Sequence, residues 1–125
     1  MPPLPEPLGD LEIRVMDAVW SGGPGTVRDV CDRLPEDEAR AYTTVMTTLD
    51  RLHRKGLLHR EKEGLAWRYA PVLTRAAWEK ALADALAARI LEAHGDVGLA
   101  AFVDAAADDA LLDRLSELVE ARRRR

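Results

Sequence analysis

The sequence predicts a mainly α-helical fold carrying one small β-hairpin, and three observations lead there. Apolar residues recur every three or four positions through most of the chain, the spacing of one helix face. That period gives way to alternation only between Leu57 and Pro71, around Gly64. At 125 residues and 47% hydrophobic, the chain suits one compact domain with an appendage and is too short for separate cofactor and substrate lobes.

Residues 1–8, with prolines at 2, 3, 5 and 7, read as a flexible lead-in without the basic start and apolar run of a signal peptide. A first helix opens at Leu8-Gly9-Asp10-Leu11-Glu12 and runs to about Ser21, with Leu11, Val15 and Val19, joined by Ile13, Met16 and Trp20, on its apolar side. Gly22-Gly23-Pro24-Gly25 ends it. Thr26-Val27-Arg28-Asp29 has capping-box spacing, because the Thr26 hydroxyl and Asp29 carboxylate can each satisfy a free amide at the start of a second helix reaching Leu34. Pro35 and the acidic Glu36-Asp37-Glu38 form the following turn.

The third helix, over residues 42–55, separates into two chemically different faces. Val45, Leu49 and Leu52 cluster on one side with Thr48 at its edge; Thr43, Thr47, Asp50, Arg51 and Arg54 project from the other. A row of hydroxyls followed by guanidiniums suits a helix lying in a DNA major groove. Gly56 is the expected helix stop, and the hairpin after it carries Arg60, Lys62 and Arg68 toward its tip. Three helices followed by a basic hairpin make a winged helix-turn-helix over residues 9–72, in which the wing reaches phosphates beside the groove.

Charge distribution agrees with that reading despite a net charge of −4. Residues 1–39 carry 3 basic and 9 acidic side chains, 40–69 carry 7 and 3, and 70–125 carry 8 and 10, so positive charge gathers on the third helix and hairpin. From residue 73 the chain turns alanine-rich. Trp78, Leu82, Leu86 and Ile90 recur at four-residue intervals, Gly95-Asp96 breaks the helix, and further helical segments cover Val97 to Ala106 and Asp109 to Arg122. These thin stripes, with Phe102, Leu111, Leu115 and Leu118, cannot bury themselves well on so small a head. Residues 73–125 are therefore expected to be a helical dimerisation domain serving a homodimer.

Cys31, the single cysteine, excludes an intrachain disulfide and fits a reducing cytoplasm as a small buried hydrophobe beside Val27, Val30 and Leu34. No apolar stretch reaches membrane-spanning length, so membrane insertion is not expected. Ser21 and Ser116 lie in no nucleophile motif, and His53, His59 and His94 lack helical ligand spacing, so no catalytic residue, metal site or cofactor is expected. The competing reading is a winged-helix protein-interaction module without DNA binding. The hydroxyl-and-guanidinium face weighs against it, since a protein-binding helix presents apolar or aromatic anchors there.

Leu8-Gly9-Asp10-Leu11-Glu12 through Val19-Trp20, Thr26-Val27-Arg28-Asp29-Val30, Ala41-Tyr42-Thr43-Thr44-Val45, Lys55-Gly56-Leu57, Arg60-Glu61-Lys62-Glu63-Gly64 and Tyr69-Ala70-Pro71 together resemble the penicillinase and methicillin-resistance repressors. The resemblance implies a dimeric repressor of inverted-repeat operators, released when a membrane sensor peptidase triggers its cleavage. It places the base-reading positions on Thr43, Thr44, Thr47 and Arg51, with Arg28, Arg54, Lys55, Arg60, Lys62 and Arg68 left to phosphates. Met46 departs from the basic residue of the methicillin-resistance repressor, so the operator's sequence does not carry over. The family's cut joins Asn to Phe; the corresponding pair here is Ala101-Phe102, which keeps half of that signal. Copper-responsive relatives use paired cysteines near the carboxyl end, which this chain lacks.

Overall fold

A computed structural model describes residues 7–35 and 41–125. The expected turn over residues 36–38 and the prolines at 2, 3 and 5 lie outside them. In chain order the elements are α1 (Asp10–Gly22), β1 (Gly25–Thr26), α2 (Val27–Arg33), α3 (Tyr42–Arg54), β2 (Leu58–Glu63), β3 (Ala66–Pro71), α4 (Arg75–Ala105) and α5 (Asp109–Arg123).

The first compact unit runs through Ala83. Its core joins Val15, Met16 and Val19 of α1, Val27 and Val30 of α2 with Leu34 beyond it, Val45, Leu49 and Leu52 of α3, and Leu58 and Tyr69 of the sheet. Fully burying each such aliphatic side chain contributes about 1.5–3 kcal/mol, so this shared cluster holds the three helices and the hairpin together. Cys31 packs at its edge, partly buried; burial, followed by the nearby Asp32 charge, pushes its thiol pKa up and keeps it neutral.

Local signals close the elements as their chemistry requires. The Thr26 hydroxyl accepts from the Asp29 amide at 3.2 Å while the Asp29 carboxylate accepts from the Thr26 amide at 3.0 Å, the reciprocal pair that the spacing predicts. At the end of α3 the Gly56 amide bonds the His53 carbonyl at 3.0 Å and the Leu57 amide bonds Leu52 at 3.0 Å, a Schellman ending. It needs the positive φ of 87° that Gly56 adopts without a Cβ clash.

The sheet is antiparallel, in the order β1-β3-β2. Only the hairpin was expected: β1 is two residues long, too short for any alternation to reveal, and it pairs Gly25 with Tyr69 and Thr26 with Arg68. A Cβ on Gly25 would come within 3.0 Å of Arg33 and Asp29, so glycine lets this strand lie close to α2. Arg33 in turn threads its guanidinium onto the carbonyls of Ala18, Gly23 and Pro24, tying the turn after α1 to α2.

Two expectations for the carboxyl-terminal half change here. The compact units divide at Ala83/Asp84, inside α4, where the sequence reading put a boundary at 72/73. The reason is Trp78, which was assigned to dimerisation but lies only 9% exposed, its ring 5.6 Å from that of Trp20. The Trp20 indole NH donates to the Leu73 carbonyl at 2.9 Å, and Arg75 pairs with Asp17 at 2.8 Å, so the first turns of α4 belong to the head.

The second unit, Asp84–Arg125, holds the rest of α4 together with α5. As the sequence predicts, α4 is broken at Gly95 (φ 48°, ψ −120°), a conformation outside the reach of residues with a Cβ, and a second helical stretch runs on to Ala105. Asp108 caps α5 by accepting from the Leu111 amide at 2.9 Å. No residue of α5 is buried, and Leu86, Ile90, Phe102, Leu111 and Leu118 are all exposed. Phe102, Leu111, Leu115 and Leu118 line one groove within this unit.

Candidate nucleic-acid interface

The Val45, Leu49 and Leu52 side chains of α3 are fully buried, which fixes the helix's rotation and turns the opposite arc outward. Thr43, Thr44, Met46, Thr47, Arg51 and Arg54 are all exposed on it. Thr48, at the edge, is 3% exposed and donates its hydroxyl to the Thr44 carbonyl at 2.9 Å, so this buried hydroxyl is paired. Thr47 makes the same bond to Thr43, at 2.8 Å, but in solvent. With its proton so engaged, Thr47 offers a methyl and an oxygen acceptor outward, chemistry matched to a thymine methyl or an exocyclic amine.

Among the described residues Arg51 makes no ion pair, so its guanidinium is free to meet two acceptors. Arg54 is 78% exposed but pairs with Asp50 at 3.0 Å. Arg28 lies at the amino end of α3, its guanidinium 5.9 Å from the Tyr42 ring.

Lys55 does not join this face. Its ammonium pairs with Glu12 of α1 at 2.7 Å, and Glu12 also accepts from the Gly9 amide at 3.1 Å. Partial burial raises the Glu12 pKa, but the Lys55 and Gly9 hydrogen bonds outweigh it and hold the carboxyl below its ordinary value of 4.5. Lys55 follows Arg51 by one helical turn, and its ammonium is engaged by Glu12 of α1 instead of standing free for a phosphate.

The hairpin is likewise divided by its pleat. In register Arg60 faces Tyr69 and Lys62 faces Trp67, so these four side chains share one side of the ribbon. Arg60 lies 4.3 Å over Trp67 and Lys62 4.6 Å, a ring between two cations. Arg68 sits on the other side, opposite Glu61, and approaches Glu63 at 3.5 Å. The tip itself is Gly64-Leu65, and Leu65 is fully exposed. The three wing cations are thus neither together nor at the tip, because alternate residues of a strand point to opposite faces.

Sequence reasoning also missed what Arg60 does. Its Nη1 donates to Asp50 Oδ1 at 3.1 Å and to the Tyr69 hydroxyl at 3.3 Å, joining α3 to the wing. The signal was present in the alternation that places 60 and 69 on one face, but the partnership with Asp50 crosses elements and no spacing reveals it. Below it, the His53 ring Nδ1–H donates to the Leu58 carbonyl at 3.0 Å. Among the described residues no three His, Cys, Asp or Glu side chains gather as metal ligands would, and no helix is long and apolar enough to cross a membrane.

This chain is similar to known proteins in both sequence and shape. The family described as the penicillinase repressor matches residues 8–121. Two Mycobacterium tuberculosis sequences, from strains CDC 1551 / Oshkosh and ATCC 25618 / H37Rv and both described as the transcriptional regulator BlaI, are 52% identical over 66 residues. That stretch is 52% of this chain and 48% of each relative, so the chain spans about half the length of the curated relatives it matches. The solution structure of the DNA binding domain of the repressor BlaI aligns at 29% identity with a TM-score of 0.52, covering 61% of this chain and 92% of that one.

Proposed function

Because this chain belongs to the penicillinase repressor family, we propose that it is a sequence-specific DNA-binding transcriptional repressor, α3 lying in a major groove and the wing beside it. The observation that carries this reading is the outward arc of α3. It places threonine methyls and acceptors next to Arg51, whose spacing from them fits a run of base edges. Arg28 and Arg54 stand at the arc's ends and Lys62 on the wing, where a duplex seated on α3 would bring its phosphates.

The reading extends to assembly. A homodimer formed through the apolar faces of α4 and α5 would present two copies of α3 to an inverted repeat, with half-sites about 34–36 Å apart or a multiple of that. Its support is the row of exposed Leu86, Ile90, Phe102, Leu111 and Leu118, larger than a solvated helix pair needs. It extends also to release: a sensor peptidase cutting Ala101–Phe102 would part residues 102–125 from the rest of the chain, and with them the whole groove that Phe102, Leu111, Leu115 and Leu118 line.

Gel-shift titration across salt tests the core of the proposal. Binding to a duplex enriched from a randomised pool should fall steeply as salt rises, with a logarithmic slope of about −0.9 per phosphate neutralised. Binding that ignores salt, or that fails even at low salt, would return the chain to a protein-interaction role.

A further inference from the structure

We propose that Asp50 is a positioning residue for DNA reading: its carboxylate fastens the wing to α3, so that helix and wing meet a duplex as one body. This rests on the DNA-binding reading above and adds to it the residue that sets their mutual angle.

Asp50 lies on the outward side of α3, amid the groups assigned to DNA, where a carboxylate opposes a polyanion by like charge. Its two oxygens are both occupied. Oδ1 accepts from Arg60 Nη1 of β2 at 3.1 Å, and Oδ2 ion-pairs with Arg54 Nε, one turn along its own helix, at 3.0 Å. Arg60 is then fixed from other directions by the Tyr69 hydroxyl at 3.3 Å and by the Trp67 ring at 4.3 Å. Tyr69 is 1% exposed, anchored in the core, so the chain Asp50–Arg60–Tyr69 runs from the reading face to the interior.

Stability alone gives weak reason for the pair. With the two side chains 33% and 24% exposed, an ion pair of this kind contributes about 0–1 kcal/mol. Geometry gives a better one. A ribbon whose third strand is only two residues long bends and twists easily, and His53 secures it only at its base, at Leu58. The Asp50–Arg60 bond fastens it two residues farther out, directly below Lys62. Arg60 therefore acts through Asp50 and not as a phosphate ligand of its own, and the wing's reach toward DNA falls to Lys62.

The two roles open to Asp50 predict opposite signs. As a mere charge, Asp50→Asn in the full chain should tighten binding to every duplex alike. As a positioning residue, it should weaken binding to the duplex enriched by the wild-type chain by about five- to tenfold, while a scrambled duplex of equal length is bound as well or about twofold tighter. Arg60→Gln reads the same bond from the wing side, leaving α3 untouched. Introduced into Asp50→Asn it should add less than twofold, because each change alone already breaks the bond. Equal tightening on both duplexes, or an Arg60→Gln effect of the same size in both backgrounds, would overturn the proposal. A wild-type chain that enriches no duplex would instead remove the DNA reading on which it stands.

Discussion

Arg51 and Lys62 are both cations proposed to face DNA, and their surroundings suit them to different work. Arg51, without an ion pair among the described residues, can aim two parallel donors at a guanine edge; Lys62, a compact ammonium beside Trp67, supplies charge without pattern. Arg51→Ala should therefore cost about 1–3 kcal/mol on the enriched duplex and blur the preference at one base position. Titration against a panel of single-base variants reads this directly, and an unchanged preference would strip Arg51 of its reading role. Lys62→Ala should weaken every sequence alike and lower the salt slope by about one. A loss confined to one duplex would contradict that. Lys55, by contrast, is engaged with Glu12, so Lys55→Met should leave DNA binding within about twofold of wild type and be felt in stability, by about 1 kcal/mol at most.

At the level of elements, what the sequence made legible and what it hid follow from range. The rotation of α3 was readable because Val45, Leu49 and Leu52 repeat within one helix, and the Thr26–Asp29 cap because its partners stand three residues apart. The destinations of Lys55, Arg60, Arg68 and Trp78 were not, since each is decided by a neighbour on another element: Glu12, Asp50, the facing strand and Trp20. The carboxylates that these local rules place are also the ones that respond to acid. Hydrogen bonds from the Thr26 amide and hydroxyl hold Asp29 below its ordinary value of 3.8, and Glu12 is held below 4.5. A carboxyl whose folded pKa is depressed binds fewer protons than its unfolded counterpart. Its contribution to stability is complete above the unfolded pKa and disappears as pH falls through the folded one. Urea midpoints should accordingly be flat from neutral pH to about pH 5 and drop below it, and the Asp29→Asn, Glu12→Gln double variant should show a lower plateau with a shallower acid decline. A decline as steep as wild type would mean that other groups govern it. Thr26→Ala removes one half of the cap and should lower stability by about 1 kcal/mol, leaving the base preferences of α3 intact.

The whole molecule faces a charge problem that only its division resolves. A net charge of −4 repels DNA at long range, while residues 40–69 carry 7 basic and 3 acidic side chains on the part proposed to touch it. One such face neutralises few phosphates, and a single copy of α3 spans a few base pairs, so the chain alone would be a weak and poorly selective binder. The proposed pairing of two copies through the exposed Phe102, Leu111 and Leu118 would make the second contact intramolecular, at an effective concentration near millimolar. Leu118→Asp tests this without disturbing any core, because Leu118 is 49% exposed in the single chain. The variant should sediment as a monomer with unchanged helix content. On a duplex bearing two inverted half-sites it should bind about 10²–10⁴-fold more weakly than wild type, yet match wild-type affinity for one half-site. An equal loss on both duplexes would trace the defect to the head, and a variant that still sediments as a dimer would move the pairing surface away from this face of α5.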